Sequence, residues 1–138
     1  MCDLFSSDIA RAGPNDFYKV DSEKYFSTVI SSYPVRSGVV TKITFYLVNG
    51  NEFLIGVGKV QNFDNLRIHY AGSTSTSLGY NTYGGGKWIN GDEIDYASPA
   101  KAGDKITMTV DLRPFKKTVS FAKNGLDLGE AFGGLNFW

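Results

Sequence analysis

Residues 105–132 read KITMTVDLRPFKKTVSFAKNGLDLGEAF, and this stretch decides the fold. Ile106, Met108, Val110 and Leu112 occupy alternate positions, with Thr107, Thr109 and Asp111 between them. After an Arg113-Pro114 turn, Val119 and Phe121 alternate with Thr118, Ser120 and Ala122. A period of two is that of a strand with one buried face. Asn124-Gly125 supplies the positive-φ pair that a tight hairpin prefers. The stretch therefore predicts a β meander. It closes on a short glycine-punctuated tail, in which Gly129 lets the chain bend before Phe132 enters the core.

Working outward, the same alternation recurs at 39–48, where Ile43, Phe45 and Leu47 share one face. Asn49-Gly50-Asn51 predicts that this strand turns back as a hairpin onto 53–57, where Phe53, Ile55 and Val57 alternate. Residues 25–30, rich in β-branched and aromatic side chains, predict another strand, and Ser31 to Gly38 a loop. Asp8-Ile9-Ala10-Arg11 predicts a helical turn at most, ahead of the turn signal Gly13-Pro14-Asn15-Asp16. The middle reads as a loop over 59–66, a short strand over 67–71, a polar connection over 72–77 and a short strand over 78–81. Thr82 to Gly86 (TYGGG) is a glycine-rich loop, followed by Lys87-Trp88-Ile89 and an Asn90-Gly91 turn. Asp92 to Asp104 is acidic and rich in small residues, which predicts a mostly exposed segment. Short strands with turn signals about every ten residues predict a two-sheet antiparallel β-sandwich.

Composition narrows the function classes. The 138 residues suit one domain, and a domain of that size buries about 65–70% of its unfolded surface. Ten Phe, eight Tyr, two Trp and sixteen Gly favour strands and tight turns over a helical bundle. Lys plus Arg and Asp plus Glu both total 14, so no global field favours nucleic acid or an anionic membrane. The single cysteine, Cys2, rules out an internal disulfide and a cysteine zinc cluster. No signal peptide and no apolar run of membrane-spanning length is read, and the expectation is an intracellular, cytoplasmic protein.

Catalytic chemistry finds little purchase. The sole histidine, His69, falls in a predicted strand, and there is no Gly-x-Ser-x-Gly elbow or helical His pair. Asp92, Glu93 and Asp95 offer oxygens to a Ca²⁺ ion but read more simply as solvated loop charge. Tyr83-Gly84-Gly85-Gly86-Lys87 lacks the spacing of a phosphate-binding loop and a following helix. The chain is therefore expected to be non-enzymatic, with no metal and no cofactor. The remaining functional chemistry is aromatic: Tyr33, Tyr70, Tyr80, Tyr83, Trp88 and Tyr96 lie in predicted loops or at strand ends. Rigid aromatics beside Arg36 and small residues are the chemistry of a binding patch.

Four motifs, in order, resemble the SPRY (B30.2-type) family. Ser37-Gly38 precedes a strand, and Ile55-Gly56-Val57 ends the next one. Ser77-Leu78-Gly79-Tyr80-Asn81 with Trp88 and Gly91 is similar to the family's central stretch. Val110-Asp111-Leu112, Thr118-Val119-Ser120-Phe121, Asn124-Gly125 and Leu128-Gly129-Glu130-Ala131-Phe132 are similar to its closing run. The resemblance spans about residues 25–135 and implies a concanavalin-like jelly-roll sandwich over 25–138, with 1–24 packing on or flanking it. Two features depart from the family pattern. No aromatic occupies Val39-Val40-Thr41-Lys42, and the chain ends soon after Phe132, which implies a shortened domain or an N-terminal segment supplying the last edge.

The resemblance also implies a protein-interaction module, an adaptor that binds a peptide or surface patch through loops at one rim. The residues so nominated are Tyr33, Pro34, Arg36, Asn65, Tyr70, Tyr80, Tyr83 and Trp88, and the protein is expected to be a monomer. The alternative is a carbohydrate-binding jelly roll, with Trp88, Asn81, Asn90 and Asp92 as its site.

Overall fold

The computed structural model describes residues 2–5, 9–19, 28–31, 33–50, 52–59 and 70–136; among them the chain forms twelve strands and no helix. The chain divides into two units, one of Met1–Pro34 with Lys59–Tyr70 and one of Val35–Gly58 with Ala71–Trp138. In the first, β1 (Cys2–Phe5) pairs antiparallel with β4 (Val29–Ser31). β2 (Ile9–Gly13) and β3 (Asp16–Lys19) form a hairpin across the expected Pro14-Asn15 turn. The helical turn expected at Asp8–Arg11 is not found where the chain is described, because Ile9, Ala10 and Arg11 pair with Lys19, Tyr18 and Phe17. Tertiary pairing overrides a local preference too short to nucleate a helix. The strand expected over 25–30 is described only at its end, and the expected strand over 67–71 only at Tyr70 and Ala71, neither of which is in a strand.

The second unit holds two four-stranded antiparallel sheets. One has the order β12 (Leu126–Phe132), β11 (Thr118–Lys123), β10 (Lys105–Asp111), β5 (Val40–Tyr46). The other runs β6 (Leu54–Gly58), β7 (Ser77–Asn81), β8 (Lys87–Ile89), β9 (Asp92–Ile94). The core between them is the buried half of the alternation read from the sequence: Ile106, Met108, Val110, Leu112, Val119 and Phe121 meet Ile55, Leu78 and Tyr80. On the outer face Thr44 and Thr107 share a hydroxyl–hydroxyl hydrogen bond of 3.1 Å.

Two expectations are corrected. β5 and β6 are not a hairpin: β5 pairs with β10 and β6 with β7, so residues 47–53 carry the chain from one sheet to the other. β10 offers β5 a seven-residue register, and β6 takes the other sheet. The closing segment is no mere tail, since β12 continues through Gly129 to Phe132 with an irregular register against β11. Gly129 has φ +88° and its N–H donates to the Asp127 carboxylate at 2.8 Å, so the bend is a bulge within a strand. The segment 92–104 is mostly exposed, as expected. It contributes the edge strand β9 and buries Ala100.

The ends of the meander are tied by side chains. Asn124 and Gly125 have φ 52° and 83°, the geometry of a two-residue hairpin turn. The Asn124 amide accepts from Lys105 N–H and donates to Asp104, both at 2.8 Å. That donated bond holds the Asp104 carboxyl below its usual range. At the other end Arg113 clamps Asp111 through Nε at 2.9 Å and a terminal nitrogen at 2.6 Å, which lowers the Asp111 carboxyl likewise.

Candidate functional site

The loop joining β7 to β8 is held from every side. Asn81 accepts the Tyr83 N–H at 3.0 Å and donates from its amide to Glu93 at 3.2 Å. The backbone of Asn81 bonds to Gly86 and Gly85, both at 2.8 Å, and Ala97 N–H donates to Gly85 at 2.9 Å. Thr82 bonds reciprocally to Phe53, its N–H to the Phe53 carbonyl and its hydroxyl from the Phe53 N–H, and its carbonyl accepts from Ala100. On this scaffold Tyr83 stands 61% exposed.

The glycines fit the loop into place rather than freeing backbone groups. A Cβ on Gly85, which has φ +78°, would overlap the Ala97 carbonyl oxygen, and one on Gly86 would overlap the Glu93 carboxylate. Lys87, at the end of the glycine run, donates to the Ala131 carbonyl at 2.6 Å and lies over the Phe132 ring, so its charge ties β8 to β12. Beside the loop is a shallow recess of about 310 Å³ lined by Gly84, Gly86, Asp95, Tyr96 and Ala97.

Two nominated aromatics are not loop contacts. Tyr80 is 0% exposed; its ring lies 5.2 Å from that of Phe121 and edge-on to Tyr96, and its hydroxyl donates to Ser98 at 2.7 Å. It is a core residue with no surface to offer a partner, because all five residues of β7 are buried. Trp88 is half-buried in mid-strand opposite Gly79, and the Gly72 turn packs so closely that a Cβ there would lie 2.5 Å from the Trp88 Cβ. Asn81, part of the carbohydrate alternative, has both ends of its amide engaged within the loop.

Tyr96 is half-buried, with its hydroxyl donating to the Gly129 carbonyl at 2.6 Å. Burial is the main cause that pushes its pKa from the ordinary 10.0 to about 12, and burial also raises Tyr80. A phenol whose pKa is higher in the folded state stabilises the fold fully below the unfolded value and loses that contribution as pH rises through the folded one. Melting temperature should therefore fall between pH 10 and about 12, in step with phenolate absorbance. Tyr96→Phe should blunt that fall; an unchanged profile would place the sensitivity elsewhere.

The other nominated residues are dispersed. In the first unit Tyr33 is 71% exposed, its N–H donating to Ser31 Oγ at 3.1 Å; Pro34 is exposed and Tyr70 half-buried. Asn65 and His69 lie outside the described residues. In the second unit Arg36 is exposed, but it does not share a rim with Tyr83. Gly38 N–H donates to Leu112 and Leu112 N–H to Val39, placing Arg36 at the start of β5 and the end of β10. Thr82 bonds to Ala100, and Leu47 to Asp104 and Gly103, placing Tyr83 at the opposite end of β5. A seven-residue strand, about 20 Å at roughly 3.3 Å per residue, lies between. The expectation of one rim is corrected for these two residues.

Tyr83 shares its rim with residues not nominated from sequence, since Tyr46 ends β5 and Val48, 84% exposed, follows Leu47. Period two puts Tyr46 and Val48 on the outer face, opposite Phe45 and Leu47, which is their signal in the sequence. Among the described residues no group of three or more His, Cys, Asp or Glu is placed to hold a metal ion, and no helix is long and apolar enough to cross a membrane.

Among solved structures, the chain is similar to the crystal structure of the SPRY domain of human HERC1. The identity is 27% and the TM-score 0.61, over 80% of this chain and 67% of that one. It is also similar to the crystal structure of a human SPRY domain, at 16% identity and TM-score 0.68, over 95% of this chain and 84% of that one. The fold is that of a SPRY domain. No protein-family model matches the chain, nor does any curated protein. Within this SPRY fold the motifs read from sequence fall at structural positions: Phe121 and Phe132 in the core, Asn124-Gly125 at a hairpin, and Gly56 opposite Gly79 where β6 and β7 approach.

Proposed function

We propose that the chain is a non-enzymatic protein-interaction module that captures a short peptide or surface patch through the rim bearing Tyr83. SPRY domains are in general interaction modules rather than catalysts, which supports the class. The observation that carries the site is the Tyr83 loop: an exposed phenol on a backbone whose hydrogen bonds are already made inside the protein. Such a side chain contributes apolar contact and a polar tip at low ordering cost, as binding anchors do. In this reading the recess beside it, lined by Gly84, Gly86, Asp95, Tyr96 and Ala97, receives a partner side chain. Tyr33, Pro34, Asn65 and Tyr70, all in the first unit, remain proposed partner contacts in their own right, the protein acts as a monomer, and residues 1–24 flank a domain spanning 25–138.

Affinity capture from lysate with wild type and Tyr83→Ala tests this reading. The variant should melt within about a degree of wild type, because an exposed side chain contributes little stability. It should lose a partner that wild type retains, with affinity reduced about tenfold or more. A large drop in melting temperature would make Tyr83 a structural residue, and identical retention by both proteins would overturn the assignment.

A further inference from the structure

The opposite end of the four-stranded sheet carries a different surface. Phe115, in the β10–β11 turn, is fully exposed and has φ +68°, a conformation that a bulky side chain rarely adopts. Lys117 follows with φ 53°, and Lys116 N–H closes the turn onto the Arg113 carbonyl at 3.1 Å. The backbone bonds between Leu112 and Gly38 and Val39 bring Val39 and Val40, both exposed, to the same end. The local charge is one-sided although the chain is neutral: Arg36, Arg113, Lys116 and Lys117 stand against Asp111 alone over 35–40 and 111–118. Arg113 is occupied by Asp111, whereas Arg36, Lys116 and Lys117 make no side-chain hydrogen bond or ion pair among the described residues.

We propose that this end of the sheet is a second docking surface, specific for an acidic partner segment with an aromatic or aliphatic anchor. The inference rests on the reading of the chain as an interaction module. Acidic side chains complement Arg36, Lys116 and Lys117, and the anchor covers Phe115 with Val39 and Val40. The exposed phenyl ring adds no packing to the fold, and strained backbone of this kind clusters at ligand-contacting segments. A protein segment fits better than a bilayer, since the apolar area is split between a turn and a strand start. One ring is also a weak membrane anchor without a second signal.

The test is panning of a random peptide display library on the intact chain, followed by affinity measurement of the enriched peptides. Enriched sequences should cluster Asp and Glu around an aromatic or leucine. Phe115→Ser and Lys116→Glu/Lys117→Glu should each weaken them about tenfold, and Phe115→Tyr should retain most binding. Affinity should fall as NaCl rises from about 0.05 to about 0.5 M. Phe115→Ser should melt no lower than wild type. Enriched peptides without acidic bias, or bound equally by Phe115→Ser, would overturn the proposal, as would Phe115-dependent pelleting with phosphatidylserine vesicles or Phe115-dependent self-association. Peptides lost with Tyr83→Ala but kept by Phe115→Ser would sink this surface while sparing the Tyr83 site. No enrichment at all would count against both.

Discussion

Phe121→Asp should yield a chain with no cooperative thermal transition and no near-ultraviolet circular dichroism. Phe121 is 1% exposed, lies in an interior strand of its sheet and packs against Tyr80 and Tyr96 from the facing side of the core. Removing a buried phenylalanine costs about 3–5 kcal/mol. An uncompensated carboxylate at the same place adds several more. Together they rival the roughly 5–15 kcal/mol that holds a typical domain together. Phe121→Leu is the control, expected to fold with a loss of roughly 1–2 kcal/mol. A cooperative transition for Phe121→Asp within a few degrees of wild type would show that the core is not where these contacts place it.

Gly85→Ala should fold but melt on the order of ten degrees lower, and lose Tyr83-dependent binding with it. At φ +78° a Cβ is strained on its own account by about 1–2 kcal/mol. Here it also overlaps the Ala97 carbonyl oxygen and comes within 2.9 Å of the carbonyl carbons of Ala97 and Ser98. Forcing those segments apart costs about 1–3 kcal/mol more and loosens the bond from Ala97 N–H to Gly85. Gly91 separates the two causes, since it has φ +80° with nothing within 4 Å of its missing Cβ. Gly91→Ala should therefore show the strain alone. Equal melting temperatures for the two variants would mean that the loop gives way freely and that the rigid presentation of Tyr83 is wrong.

Much of this fold was legible because period-two burial is written directly into residue order. Ile106, Met108, Val110, Val119 and Phe121 are buried as the alternation requires, and Asn124-Gly125 forms its hairpin. Alternation reports which face of a strand is covered, however, and not which strand lies beside it. That is why alternation pairs β5 with β6 although its partner is β10. The same limit hid the separation of Arg36 from Tyr83, since topology alone decides which loops share a rim. The burial of Tyr80 is not legible from alternation, because every residue of β7 is buried and its position in the strand carries no contrast between faces. Phe115 was visible as an apolar residue after a turn proline, but only the structure reveals a ring with no neighbours and a left-handed backbone.

The crossing of residues 47–53 between sheets also has a consequence for how the chain is made. β5 leaves the ribosome long before β10, and its edge finds no partner until Asp111 has been joined to the chain. At about 5–20 residues per second, that interval lasts several seconds, during which Ile43 and Phe45 have nothing of their own sheet to cover them. Pairings so distant in sequence place the domain among slow folders, whatever its final stability. A nascent chain halted before residue 105 should thus be a strong client for chaperones that hold extended apolar segments, and release of the meander should end that dependence abruptly.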